Sequence, residues 1–221
     1  MNEEKLYGLK ARKESDEEYA QIMLDYMESK YKKDFEIVKY IFPEEGFNTD
    51  HLQSIVVLLE KTTGLITDVY ATLGSPYTYY DHYTSDLASW NNQQLVDCSS
   101  INELGSSKLY FYLRDNNINT LDISNENVSR VILLVNITQE PNEETLEKLY
   151  DIYKELFALN YEYTFFVAGF TEKNEVFDDY TNAYRVFGGK TWKDYSGKVY
   201  ATLTAKESNL TFTAFKKLCE R

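Results

Sequence analysis

The residues of this chain that could do chemistry are few and scattered. There are two histidines, His51 and His82, and two cysteines, Cys98 and Cys219. His82 follows Asp81 inside the aromatic run Tyr77-Thr78-Tyr79-Tyr80-Asp81-His82-Tyr83. An acid beside an imidazole in an aromatic pocket is a place where a general base or a metal ligand can be built. A hydrolytic site also needs a nucleophile in reach of that base. No local pattern marks one, and neither G-x-S-x-G nor H-E-x-x-H occurs. The plainer reading is a loop packed by its own tyrosines with a surface histidine. Cys98 and Cys219 form no C-x-x-C and no zinc spacing, so they read as two isolated thiols, and whether they pair stays open.

A second pattern runs from Asp115 to Glu126. Asp115, Asn117, Asn119 and Glu126 fall where an EF-hand loop carries ligands. Thr120 stands where that loop needs glycine for its sharp turn, and Asp122 where it carries an apolar residue. The flanks read as strands, so an Asn/Asp-rich turn is the simpler expectation. Gly188-Gly189-Lys190-Thr191 lacks the earlier glycine of a phosphate loop and no helix follows. The pairs Glu44-Glu45, Glu143-Glu144 and Asp178-Asp179 are adjacent, and in extended chain they point to opposite faces. Asn127, Asn136 and Asn209 open glycosylation sequons, expected by chance in an Asn-rich chain. The sequence therefore assigns no catalytic, cofactor-binding or metal-binding residue.

The elements that position these residues read more clearly. Asp16 can cap a helix with Glu17 and Glu18 in its first turn. Tyr19, Ile22, Met23, Tyr26, Met27 and Tyr31 then recur at the spacing of one buried helical face. Phe35 to Phe42 reads as a strand, and Gln53 to Glu60 as a strand covered on both faces. Lys61-Thr62-Thr63-Gly64 is a hairpin turn, and Leu65 to Leu73 alternates as the returning strand. A weaker helix runs through Leu87, Trp90, Gln94 and Leu95, capped by Thr84 or Ser85. Residues 97–107 are a polar connection and the candidate boundary.

Strands follow at Lys108 to Arg114 and Arg130 to Thr138. A helix opened by Pro141 and Asn142 carries the stripe Leu146, Leu149, Tyr150, Tyr153, Leu156 and Phe157. Tyr161 to Thr171, Ala183 to Phe187 and Lys198 to Ala205 read as strands. A last helix, capped by Ser208 or Asn209, turns Phe212, Phe215 and Leu218 inward. The fold class is α+β: antiparallel or mixed sheets of about eight strands with about four helices. The strand–helix–strand stretch over 130–171 fits a parallel crossover.

The order helix, strand, hairpin over residues 16–73, with a strand laid down directly after "YMESKYKKDFEIV", resembles the α+β modules called cystatin-like or PepSY-like. The resemblance implies an antiparallel sheet wrapped on one helix. It also implies a secreted or lipid-anchored protein of a Gram-positive bacterium. The inhibitory Gln-x-Val-x-Gly segment of cystatins is not found, so protease inhibition is not implied. On this reading residues 1–96 form the cystatin-like/PepSY-like unit and 108–221 a second α+β unit, with one domain over 16–221 as the alternative.

Composition bounds the function further. Of the 221 residues 43% are hydrophobic, enough to bury a sizeable core. With 36 acidic against 23 basic residues the net charge is −13, which argues against binding nucleic acid or an anionic membrane through a general basic face. No apolar run is long enough to span a membrane. The stretch Met1-Asn2-Glu3-Glu4-Lys5 has no signal-peptide core and taken alone points to the cytoplasm; the resemblance points to the cell surface, with a lipid anchor preceding residue 1. The function expected is a bacterial extracytoplasmic binding or regulatory module without catalytic activity, whose partner is a protein or small ligand. The alternatives are a cytoplasmic enzyme using Asp81 and His82, or a structural or assembly protein with a Tyr-rich face; the 20 tyrosines suit a binding surface as well as sheet packing.

Overall fold

In the computed structural model, residues 10–11, 14–41, 54–71, 74–75, 77–115, 121–174 and 197–219 are described. His51, the strand expected at Ala183 to Phe187, the Gly188-Gly189 stretch and the acid pairs Glu44-Glu45 and Asp178-Asp179 lie outside them. The chain folds as two compact units, Met1–Asp86 and Leu87–Arg221. The division falls inside a helix rather than in the polar stretch 97–107, which instead holds a short helix and the start of a strand. Both units are α+β.

The first unit is built on helix α1 (Asp16–Tyr31). Its N-cap is Ser15, one residue before the cap expected from sequence, because Ser15 and Glu18 form a reciprocal capping box. Lys32 ends it in the left-handed conformation at φ 54°, and its N–H closes on the Glu28 carbonyl. Tyr19, Ala20, Met23, Met27 and Tyr31 are its buried side chains, whereas Ile22 is half-buried. The helix packs on a four-stranded sheet of order β2-β3-β4-β6, namely β2 (Phe35–Ile41), β3 (Ser54–Glu60), β4 (Ile66–Ala71) and β6 (Tyr79–Asp81). Every neighbouring pair is antiparallel. Two short strands, β1 (Lys10–Ala11) and β5 (Gly74–Ser75), pair with each other. Gly64 takes φ 74° in the hairpin between β3 and β4, a region in which a Cβ is strained.

The aromatic run that reads as a loop is strand β6 followed by the start of helix α2 (Tyr83–Asn91). Beyond α2 a 3-10 turn (Gln93–Leu95) replaces the continuous helix expected through Leu95. Helix α3 (Ser99–Asn102) then leads into the second sheet, of order β10-β9-β8-β7. Its strands are β7 (Gly105–Leu113), β8 (Val128–Ile137), β9 (Thr164–Thr171) and β10 (Val199–Ala205). β8 and β9 run parallel with helix α4 (Glu143–Ala158) between them in sequence; the other pairs are antiparallel. Asn142 caps α4 through Thr145 N–H at 2.9 Å. The last helix, α5 (Phe212–Lys217), is capped by Thr211 rather than Ser208 or Asn209.

The core of this unit joins one sheet face to α4 and α5. Phe166, Phe170, Leu133, Val135, Leu149, Ile152, Tyr153, Leu156 and Phe215 are its centre. Tyr150 and Tyr153 donate to the Leu210 and Glu207 carbonyls and so tie the chain ahead of α5 to α4. No helix among the described residues is long and apolar enough to cross a membrane.

Candidate functional site

Among the described residues, a group of buried ionisable side chains lies in the first unit and is organised by strand alternation. Along β6 and into α2, Tyr77, Tyr79, Asp81 and Tyr83 turn toward α1. Each tyrosine there meets one from the helix. Tyr77 lies against Tyr19 (ring centroids 4.7 Å apart), Tyr79 stacks on Tyr26 (4.8 Å), and Tyr83 meets Tyr31 (4.5 Å). Tyr80 and His82 face the opposite way. Tyr80 stacks on Tyr70 at 5.1 Å and His82 packs edge-on to the same ring. Much of the tyrosine richness of this stretch therefore joins a three-residue edge strand to its helix and to its neighbour.

Asp81 and His82 do not form a joint site. They are consecutive in extended chain and point to opposite faces, the argument that separates the other adjacent acids. Asp81, 5% exposed, accepts from Lys30 Nζ (2.7 Å), Tyr31 Oη (2.6 Å) and the Tyr83 N–H (3.2 Å). His82 instead pairs through Nδ1 with Asp68 Oδ1 at 2.9 Å, and Asp68, fully buried, also accepts from Tyr70 Oη at 2.6 Å. A third buried carboxylate, Glu60, takes Thr63 Oγ1 (2.5 Å), Tyr83 Oη (3.2 Å) and Lys33 Nζ (3.4 Å). Tyr83 thus bridges two acids, donating its hydroxyl to Glu60 and its backbone N–H to Asp81. Thr67 donates to Asp86 at 2.6 Å.

Electrostatics fixes the protonation of these groups. Burial pushes the His82 imidazole down, but the hydrogen bond and charge of Asp68, helped by Asp86 and Asp81, outweigh it and raise it to about 9. Burial likewise lowers the Lys30 ammonium, and its bonds to Asp81 and Tyr31 more than reverse this, so that it is raised overall. Burial and then Asp81 raise the Tyr31 phenol to about 12, and burial with Glu60 raises that of Tyr83. At neutral pH the histidine is a cation and these phenols are donors. A general base requires an available lone pair at the working pH, and His82 has given its own to a proton.

The other sequence candidates do not gather here. Cys98 is buried, its thiol is raised chiefly by that burial, and neither cysteine is in a disulfide. In the Asp115-to-Glu126 stretch, residues 116–120 lie outside the described set. Both oxygens of Asp122 accept from Ser124, at 2.8 and 3.0 Å, and Asn127 bridges Asp115 and Asp122. No group of three or more His, Cys, Asp or Glu among the described residues could hold a metal ion. Asn136 is fully buried, with its side-chain nitrogen bonded to the Lys173 carbonyl and Asn174. Sequence reasoning missed Glu60, Asp68, Lys30 and Tyr31 as partners of this cluster. The available signal was an acid at the end of one apolar strand and another inside an alternating one.

No family model matches the chain and no curated protein matches it. Among solved structures, the crystal structure of a DUF5037 family protein from Ruminococcus gnavus is similar at a TM-score of 0.47 with 10% sequence identity. The alignment covers 90% of this chain and 98% of that one.

Proposed function

We propose that the protein is a bacterial extracytoplasmic binding or regulatory module without catalytic activity, and that its first unit is of the cystatin-like or PepSY-like kind. The observation that supports this best is one helix packed on a wholly antiparallel four-stranded sheet, with the ionisable groups between them bonded to one another. Such a cluster fixes the helix and edge strand in place, which suits a surface that recognises a partner by shape. Its partner is a protein or small ligand, and a lipid anchor preceding residue 1 would hold it at the cell surface. The native gene tests the reading. A leader with a lipid-attachment cysteine upstream of Met1 is expected, and a frame that starts at Met1 in a cytosolic protein contradicts it.

A second reading, a cytoplasmic enzyme, has one observation in its favour: a buried carboxylate orients an imidazole, as in acid–base dyads. With His82 raised to about 9, that chemistry would need alkaline conditions. A hydrolase panel followed from pH 6 to 10, with His82→Gln as control, separates the readings. An activity that appears only in alkali and vanishes in the variant would favour the enzyme.

A further inference from the structure

The β7 edge of the second sheet is closed by side chains rather than by a strand. β7 pairs with β8 on one side. On its other side, Gln93 donates to the Leu109 carbonyl at 2.6 Å and accepts the Leu109 N–H at 2.9 Å. Ser89 Oγ accepts the Phe111 N–H at 2.8 Å and donates to its carbonyl at 3.4 Å. Four helical residues rise about 6 Å, close to the roughly 7 Å between alternate residues of a strand. Positions 89 and 93 therefore meet 111 and 109 in turn and hold the backbone groups that a neighbouring strand would take. Residues 90–95 run between Ala88 and Val96, both buried in the core of this unit, while Trp90 is 50% exposed and Leu95 38%. Among the described residues, Gln93 makes the only side-chain hydrogen bonds from this segment to the sheet. The segment is a strap pinned at both ends and latched in the middle.

We infer that Ser89 and Gln93 form a latch that keeps β7 from pairing with β7 of a second copy of the chain, and that two copies join through this edge when the latch is lost. In an antiparallel pair centred on Tyr110, Leu109 of one copy stands opposite Phe111 of the other. Each backbone group now held by the latch then finds a partner. Leu109 to Leu113 reads Leu-Tyr-Phe-Tyr-Leu, with no Pro, Gly or charge, and an uncovered edge of that composition recruits another strand. Tyr110 meets its own counterpart, and Lys108, which lies over the Tyr110 ring at 5.2 Å, stands opposite Tyr112. No like charges face one another in this register. The irregularity between Tyr112 and Leu113 limits the pair to residues 108–112. The movement required is unwinding of the last turn of α2 and of the 3-10 turn after it.

The test compares the full chain with its double variant Ser89→Ala/Gln93→Met, by sedimentation and by amide exchange across a concentration series. The double variant should self-associate at least about tenfold more tightly than wild type, since the latch no longer competes for the edge. Its Leu109 and Phe111 amides should exchange fast when dilute and slow again as the protein is concentrated. Tyr112→Lys added to the double variant sets like charges opposite one another and should return it to a monomer with both amides fast. Gln93→Met alone keeps the buried Ser89 in place and reads the same change at smaller size if the double variant does not fold. A latch variant no more associated than wild type, association that leaves those two amides fast, or association undiminished by Tyr112→Lys would each overturn the proposal. Any of these leaves the extracytoplasmic reading standing, since that is decided by where the protein resides.

Discussion

His82 is the residue whose state can be read most directly in solution. Its folded value of about 9 stands above the ordinary 6.5, so its pairing with Asp68 stabilises the fold fully below pH 6.5 and is lost as pH rises through 9. With His82 one-third exposed, a contribution of about 1–2 kcal/mol remains after discounting for solvent. Wild type should therefore lose its melting-temperature advantage over His82→Gln between pH 6.5 and 9, and imidazole NMR should titrate near 9. Titration at or below 6.5 would show that Asp68 does not hold the proton. Asp81 makes a parallel case. Asp81→Asn keeps the shape but removes the charge that meets Lys30, and should cost about 2 kcal/mol in urea denaturation at neutral pH. Tyr31→Phe removes one of the three hydrogen bonds to that carboxylate and should cost about 1 kcal/mol. The sequence displays Asp81 and His82 as a couple, and the structure separates them because a strand turns consecutive side chains apart. Their true partners sit as many as 51 positions away, where no local pattern can show them.

At the scale of elements the reading from sequence holds where periodicity is strong. The spacing Leu146, Leu149, Tyr153, Leu156 marks α4, although Ile152 belongs to its buried face as well. The apolar run before Glu60 marks β3, and the two flanking strands of α4 are legible from their β-branched centres. Caps are off by one to three residues, since several neighbouring Ser, Thr and Asp residues are equally able to cap and tertiary packing selects among them. The run from Tyr77 to Tyr83 is misread as a loop because its strand is three residues long and its partners are tyrosines on another element. Residues 97–107 look like a linker by composition, yet Gly105 already belongs to β7. A Cβ there would come within 1.8 Å of the Asn136 carbonyl oxygen, a backbone atom with little room to yield. Gly105→Ala should therefore destabilise the second unit by about 3 kcal/mol and disturb the β7–β8 ladder first, as amide exchange would report. Gln93→Ala, which unseals the β7 edge at Leu109, should cost about 1–2 kcal/mol and raise exchange at that amide.

At the scale of the whole molecule, two α+β units share an acidic chain, and no group of three or more His, Cys, Asp or Glu among the described residues could hold a metal ion. In the first unit α1 packs on an antiparallel four-stranded sheet; the second has a mixed four-stranded sheet with a parallel crossover. The first unit's ionic groups hold its helix and edge strand. Residence at the cell surface is what the proposed function requires first. Intact cells of the source organism should be treated with a membrane-impermeant amine label, then fractionated and probed for this chain. Its exposed lysines, Lys198 and Lys206 among them, should be labelled and the protein recovered with the envelope. Unlabelled protein recovered in the cytosol would contradict the account.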